Sequence, residues 1–231
     1  MHTEVDAIER QQPTGKTYRI IPSRFPPIGI FEDLVDADEL ETLFAIEALT
    51  NDRLRAEAGD LNLVPKDEWV TGTGATVVMA AFTHIGLASR FSDGSYGVYY
   101  AALDEETAIR ETVFHQQRRL RETNEDAIDI EMRCYVGRVL VPLNDIRSHI
   151  FNELQDPDIN TWPNAQAFAS QQRNLGSAGL WFRSARHTNG ECIAAFRPKA
   201  ISRPQQGQHY IYRWSGEAIH QVSVVSSVIN L

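Results

Sequence analysis

Short hydrophobic runs alternate with polar turns along most of this chain, a pattern typical of a sheet with helices packed against it. Residues 18–21 predict a short strand that stops at Pro22, and the apolar run at residues 98–103 predicts a buried strand. Residues 75–85 form a longer apolar run, which predicts a buried helix of about three turns. The glycine-containing turn at residues 72–74 lacks the Walker lysine pattern and predicts only the start of this helix.

The clearest helix signal directly follows the strand expected at residues 98–103. Asp104 is a suitable N-cap residue, and Glu105 and Glu106 are favourable in a first helical turn. The hydrophobic residues that follow recur at helical spacing, as a stripe made of Ile109, Val113 and Leu120. The region therefore predicts a strand–helix unit in which the apolar side of the helix packs on the sheet.

The rest of the chain predicts further helices and strands of ordinary length. Asp36 or Asp38 can cap a helix that ends near Gly59, and residues 130–143 predict one strand that ends near Pro142. The remaining expected elements are a helix after Pro163, strands at residues 180–182 and 192–196, and a C-terminal hairpin of residues 210–214 and 218–225 about a turn at residues 215–217.

These elements divide the chain into two regions. Residues 1–16 are polar and predict a flexible N-terminus. Residues 17–231 predict a single α+β domain with a central mixed or antiparallel sheet and with helices inserted ahead of the strand–helix unit.

Composition narrows the classes of function. With 42% hydrophobic and 23% charged residues, the chain has the composition of an ordinary globular protein. Its net charge of −9 argues against general nucleic-acid binding. No apolar run approaches the ~20 residues that a membrane-spanning helix needs, and residues 1–16 contain no apolar signal core. We therefore expect a cytoplasmic protein that binds neither nucleic acid nor membranes directly.

Cysteine placement and charge distribution add two weaker indications. Cys134 and Cys192 lie far apart and belong to no Cys/His cluster, so we expect no metal site and two free thiols, with a disulfide between them as the alternative. Acidic residues concentrate between positions 32 and 60, and basic residues concentrate between positions 183 and 213. The basic region could serve a small anionic ligand, or the two regions could simply face each other in the fold.

Three side chains with complementary chemistry belong to the predicted strand–helix unit. Arg90 precedes the strand, Tyr100 lies on it, and Glu111 lies in the helix, away from the apolar stripe. That order brings them near one another and predicts a cleft beside the core. His115 lies one turn after Glu111, where it could orient the carboxylate or take a proton. The alternative is that both helix residues are ordinary solvated side chains.

Two further candidates flank this unit in sequence. Arg19 follows Tyr18 in a strand flanked by apolar residues, so its guanidinium could be buried against a phosphate or a carboxylate. The alternative is an edge-strand arginine that faces water. Ser184 lies in the loop after a strand, where its hydroxyl could bind a ligand, although a loop serine alone carries little information.

The segment RFSDGSYGVYYAALDEETAIRE, with Tyr18-Arg19 before it and LWFRSAR after it, resembles the RES domain family, the toxins of bacterial RES–Xre toxin–antitoxin pairs. The family is named for an arginine, a glutamate and a serine. The resemblance covers roughly residues 17–200, and the helices ahead of the central unit resemble the longer version of the family. Ala88-Ser89-Arg90-Phe91 stands where the family often has GGRW or GGRF.

The resemblance implies a fold related to ADP-ribosyltransferases. It also implies NAD⁺ as substrate, cleaved between nicotinamide and ribose without a metal. It implies a cognate antitoxin as partner, commonly Xre-like with a DNA-binding domain. Glu111 would be the catalytic carboxylate, Tyr100 would position the nicotinamide, and the arginines would hold the dinucleotide. The candidate catalytic residues are Glu111, Arg90 and Tyr100, and the candidate dinucleotide-binding residues are Arg19, Tyr18, Ser184 and His115.

Elementary chemistry favours the same interpretation. Cleavage of an N-glycosidic bond builds positive charge on the ribose, which a fixed carboxylate stabilises. Arginine suits a pyrophosphate better than lysine does because its planar fork makes bidentate hydrogen bonds. The leading hypothesis is a toxin that consumes NAD⁺ with water or phosphate as acceptor. The alternatives are transfer of ADP-ribose to a host protein and a catalytically silent interaction domain, and the sequence leaves the acceptor and any homo-oligomer open.

Overall fold

The computed structural model of the chain describes residues 8–23 and 59–226. Nine strands form one sheet: β1 (Arg10–Gln11), β2 (Thr17–Pro22), β3 (Tyr99–Ala102), β4 (Ile128–Gly137), β5 (Leu143–Asp145), β6 (Gly179–Arg183), β7 (Glu191–Ala195), β8 (Gln205–Trp214) and β9 (Ile219–Val225). Their order across the sheet is β1-β5-β6-β7-β3-β2-β4-β8-β9. Neighbouring strands are antiparallel except β5 and β6, which are parallel. The expected α+β architecture with a mixed or antiparallel central sheet is confirmed, and the sheet is mostly antiparallel.

The described helices are α1 (Ala75–Thr83), α2 (Glu105–Glu122) and α3 (Trp162–Asn174), with short 3-10 turns between the elements. Asp104 caps α2 as its sequence predicts, because its Oδ1 accepts a 2.8 Å hydrogen bond from the Thr107 N–H. The acidic first turn and basic last turn of this helix complement its dipole. The helix expected after Pro163 begins one residue earlier, at Trp162.

Two hydrophobic cores use alternate residues of the same strands. In β3, Tyr99 and Ala101 join a core that includes Met79 of α1. Ala102 joins a second core that contains Ala108 of α2, and Tyr100 packs against that core. Because side chains alternate across a strand, the two cores lie on opposite faces of the sheet. Helix α2 therefore packs on the same face of the sheet as the Tyr100 side chain.

One strand prediction is wrong. The run at residues 130–143 does not form a single strand, because β4 ends at Gly137 and Leu143 begins β5 on the other side of β2, β3, β7 and β6. The intervening residues cross the sheet and pair locally with another segment, through a Val139–Ile201 bridge and a 2.8 Å bond from the Leu140 N–H to the Ala200 carbonyl. A continuous apolar run does not reveal such a change of partner.

Within residues 8–16, the described part of the segment expected to be flexible, some of the backbone is paired with the sheet. Arg10 and Gln11 pair with β5, and the Asp145 N–H donates a 2.8 Å bond to the Glu9 carbonyl. The Gln12 side chain donates to the Val139 carbonyl at 3.0 Å. Backbone pairing orders this segment despite its polar composition. The helix predicted between Asp36 and Gly59 lies outside the described residues, apart from Gly59 itself.

The feature that forms the cleft is a separation between two central strands. Strand β2 pairs with β4 along all six of its residues, but it pairs with β3 at Tyr18–Ala102 alone. Beyond that pair, no other residues of the two strands are paired with each other. The Arg19 side chain connects the strands there, because its Nη1 donates a 3.0 Å bond to the Tyr100 carbonyl. The opening between β2 and β3 lies beside α2, and residues of all three elements line it.

None of the helices in the described segments is long and apolar enough to cross a bilayer.

Candidate active site

A cleft of about 330 Å³ lies between the separated strands and α2. Its volume falls in the range of small-molecule sites, roughly 300–1,000 Å³. Apolar surface comes from residues such as Ile20 and Phe182, so a ligand there is partly removed from water. The sequence-predicted residues that line it are Tyr18, Arg19, Arg90, Tyr100, Glu111 and His115. Ser184 reaches the cleft through Glu111.

Glu111 is held by the serine that the sequence indicated only weakly. Its Oε1 accepts a 2.6 Å hydrogen bond from the Ser184 hydroxyl. The same hydroxyl oxygen accepts the backbone N–H groups of Arg186 and His187, each at 3.0 Å. Since these bonds use the oxygen as an acceptor, the single hydroxyl proton points to the carboxylate. With 22% of its side chain exposed, Glu111 is directed into the cleft wall and is not a solvated helix residue.

Arg90 is a nearly buried cation that forms no ion pair within 4.0 Å among the described residues. It is 9% exposed, and its Nη1 donates to the carbonyls of Asp156 at 2.7 Å and Leu154 at 3.3 Å. Burial lowers the pKa of Arg90, while the charge of Glu111 opposes that change. A guanidinium remains protonated at neutral pH, so the cleft contains a permanent positive charge.

Arg19 provides a second buried cation in the same cleft. The alternative of an edge-strand arginine is wrong, because β2 lies between β3 and β4. The guanidinium carbon lies 4.6 Å from the centroid of the Tyr99 ring, and Nε is buried without a hydrogen-bond partner. Burial lowers the pKa of Arg19. No carboxylate among the described residues forms an ion pair with it.

The Tyr100 hydroxyl explains how residues ten positions apart meet. It bonds the Ser89 hydroxyl at 2.9 Å and accepts the Phe91 N–H at 3.0 Å. These bonds fasten the turn that carries Arg90 to strand β3, next to Glu111. Burial raises the pKa of Tyr100 to about 12, so the phenol is neutral. The hydroxyl has a positioning role, and the ring remains available to line the cleft.

His115 follows Glu111 on the same side of α2, as the helical spacing predicts. Its Nε2 lies 4.0 Å from Glu111 Oε2, and 46% of its side chain is exposed. Loss of water around the covered half of the ring, followed by the positive charges of Arg118, Arg186 and Arg90, lowers the pKa of His115 to about 4. Three nearby guanidiniums disfavour a further positive charge on the imidazole, so they also lower its pKa. His115 is therefore neutral at pH 7.

This lowering predicts a specific pH dependence. In the unfolded chain His115 binds a proton below about pH 6.5, whereas the folded chain resists protonation until about pH 4. The stability associated with the neutral ring is thus complete above pH 6.5 and is lost as the pH falls toward 4. We expect the His115 ring to titrate at about pH 4 by NMR, and His115→Gln to lose less stability than the wild type between pH 7 and pH 4.5. A ring that titrates near 6.5 would contradict this account.

The sequence did not indicate several residues that lie around His115. Arg186 stacks on Phe114 with its guanidinium carbon 3.4 Å from the ring centroid, and it donates a 2.7 Å bond to the Pro157 carbonyl. Arg118 stacks on Trp162 at 4.9 Å. Arg186 stood only within a broadly basic region of the sequence, and helical spacing from Glu111 was the one signal that could have found Phe114 and Arg118.

The described residues offer little support for metal-dependent or cysteine-based catalysis in this cleft. Within residues 8–23 and 59–226 no cluster of three or more His, Cys, Asp or Glu side chains is arranged to hold a metal ion. Both cysteines are buried free thiols, as the sequence predicts. Cys192 lines the cleft, and burial raises its pKa well above the ordinary value, so its thiol is protonated and a poor nucleophile.

Comparison with known proteins agrees with the motif that the sequence contains. A model of the RES domain family matches residues 65–215, a segment that contains Arg90, Tyr100, Glu111 and Ser184. The uncharacterized protein y4oC of Sinorhizobium fredii (strain NBRC 101917 / NGR234) is similar to this chain. The two are 30% identical over 205 residues, which cover 87% of this chain and 84% of that protein. The chain is therefore a member of the RES domain family.

Proposed function

We propose that this protein cleaves NAD⁺ between nicotinamide and ribose and acts as the toxin of a toxin–antitoxin pair. The fold would then be related to that of ADP-ribosyltransferases, and the site is the cleft between β2, β3 and α2. A cognate antitoxin, commonly an Xre-like protein with a DNA-binding domain, would be its partner. The resemblance of the central segment to RES domain toxins motivates the toxin role, and the geometry of the cleft motivates the reaction.

The observation that carries the proposal is a pair of guanidiniums that line one cleft together with a carboxylate. Arg19 and Arg90 line the same cleft as Glu111, and neither forms an ion pair with a described carboxylate. Burying an unpaired cation is costly, so two such groups favour an anionic ligand that completes them. A pyrophosphate offers two charges and several acceptor oxygens, which suit planar guanidinium forks.

Glu111 supplies the electrostatic part of the reaction. As the bond from the ribose C1 to the nicotinamide nitrogen breaks, its electron pair goes to the ring nitrogen, and positive charge develops on the ribose. A carboxylate fixed by Ser184 stabilises that charge without reorganising during the reaction. Water or phosphate then forms the new bond to C1, and with water the products are nicotinamide, ADP-ribose and one proton.

The remaining residues fit a cationic aromatic leaving group. Tyr100 presents its ring to the cleft while its hydroxyl is held by Ser89 and Phe91. An aromatic face attracts a pyridinium ring by cation–π and stacking interactions, and the cation–π part of that attraction is lost when the ring becomes neutral nicotinamide. The loss of that attraction favours release of the product.

Incubation of the purified protein with NAD⁺, with and without inorganic phosphate, tests this function. Mass analysis of the products should show nicotinamide with ADP-ribose alone, or with ADP-ribose phosphorylated at C1 when phosphate is the acceptor. If nicotinamide forms only after a protein acceptor is added, the activity is transfer to that protein. If none forms in any of these mixtures, the proposed function is wrong.

A further inference from the structure

We propose that His187 is a positioning residue, which holds the Ser184 loop against Glu111 through a buried hydrogen-bonded chain to the start of α2. The inference rests on the proposed function for its kinetic consequences. Its structural content, that His187 fixes the loop, stands on the hydrogen bonds alone. His187 lies outside the residues that line the cleft, so its role is distinct from binding or chemistry.

The series of hydrogen bonds begins at Asp104, the N-cap residue of α2. The Thr107 hydroxyl donates a 2.6 Å bond to Oδ2 of Asp104, which as a carboxylate can only accept. The same hydroxyl lies 2.7 Å from Nδ1 of His187. Because its one proton is already directed to Asp104, the hydroxyl must accept from the imidazole, so His187 carries its proton on Nδ1. Thr107 is fully buried, which strengthens both bonds.

The loop then connects His187 to the serine. The His187 N–H donates to the Ser184 hydroxyl oxygen at 3.0 Å, and the His187 carbonyl accepts the Gly190 N–H at 3.0 Å. The Gly190 carbonyl in turn accepts the Ser184 N–H at 2.8 Å. Residues 184–190 therefore form a closed hydrogen-bonded loop, which the Ser184–Glu111 bond ties to the middle of α2 and the imidazole of His187 ties to its first turn.

Close packing reinforces this contact. A Cβ placed on Gly190 would lie 2.4 Å from the Thr107 hydroxyl oxygen, so the loop approaches α2 as near as a glycine allows. The other ring nitrogen of His187 lies 3.7 Å from the exposed Glu106. Without the Nδ1 bond, α2 holds the loop only through the Ser184–Glu111 bond and the Arg186–Phe114 contact, and the bond that fixes the loop at the start of the helix is lost. The Ser184 hydroxyl is then held less firmly in its direction toward Glu111.

His187 is the member of this chain that can be tested separately. Asp104 and Thr107 also cap α2, so replacing them would disturb the helix that carries Glu111. His187→Ala removes the anchor alone, and His187→Asn restores a side-chain N–H donor near the position of Nδ1. His220, exposed on β9, provides a matched control as His220→Ala.

A double-mutant cycle with Ser184→Ala is the kinetic test. We expect His187→Ala to lower kcat for NAD⁺ by about 10–100-fold with little change in KM, and His187→Asn to recover part of the loss. If His187 acts through Ser184, His187→Ala should have no further effect in the Ser184→Ala background. An equal loss in both backgrounds, or one that His220→Ala reproduces, would overturn the proposal.

Amide hydrogen exchange without NAD⁺ tests the same role independently of activity. His187→Ala should speed exchange of the Arg186 and His187 amides, which the Ser184 hydroxyl accepts, by about tenfold or more, and should leave strands β4 and β8 unchanged. Unaltered exchange of those two amides would show that His187 does not hold the loop. A wild type that releases no nicotinamide would refute the proposed function, while the exchange result would still decide the role of His187.

Discussion

Glu111→Gln is expected to lower kcat for NAD⁺ cleavage by at least about 10²–10³-fold while the protein remains folded. The substitution preserves shape and removes only the negative charge that faces the developing cation on the ribose. The amide oxygen can still accept the 2.6 Å bond from Ser184, so the loop keeps its anchor. Binding of NAD⁺ should change little, because the proposed pyrophosphate contacts come from Arg19 and Arg90.

Nicotinamide release and thermal unfolding, measured on the same preparations, separate lost chemistry from lost stability. Glu122→Gln is a matched control on the same helix, because that side chain is 63% exposed and lies roughly 16 Å along the axis from Glu111. The control should retain wild-type turnover. Undiminished turnover by Glu111→Gln would remove this carboxylate from the mechanism.

Arg90→Lys is expected to lower kcat/KM for NAD⁺ by about 10²-fold or more, although the positive charge is kept. Lysine offers a point charge in place of a planar fork, and it cannot bind two phosphate oxygens side by side while also reaching the carbonyls of Leu154 and Asp156. Arg90→Ala should be at least as severe. It also leaves two carbonyls without their donor, at a cost of about 1–3 kcal/mol in the free energy of unfolding.

Steady-state kinetics with urea unfolding distinguishes the two arginine variants. Arg213→Lys, at a half-exposed position on β8, serves as the matched control and should behave as the wild type in both measurements. If Arg90→Lys keeps full kcat/KM, positive charge alone is sufficient and the bidentate role assigned to Arg90 is wrong.

Local sequence signals predicted the strand–helix unit and much of the candidate site. Asp104 and the acidic turn after it identify the start of α2, and the stripe of Ile109 and Val113 identifies its packed side. Once that side is known, helical geometry places Glu111 and His115 together on another side, as the structure has them. The capping residue and the apolar stripe both lie within this segment, so its own sequence is sufficient to predict the helix and its packed side.

Contacts between distant segments could not be predicted in the same way. The carbonyl of Asp156 that holds Arg90 lies 66 residues away, and any residue type would supply it. The bond between Thr107 and His187 spans 80 residues and has no local signature. The separation of β2 from β3 is a property of strand pairing, which hydrophobic periodicity does not encode.

A crystal structure of the Glu111→Gln variant with bound NAD⁺ would show whether the scissile bond lies at position 111. We expect the pyrophosphate between Arg19 and Arg90, the nicotinamide beside the Tyr100 ring, and the ribose C1 next to the side chain at position 111. A dinucleotide bound elsewhere, or one whose scissile bond lies away from position 111, would contradict the account.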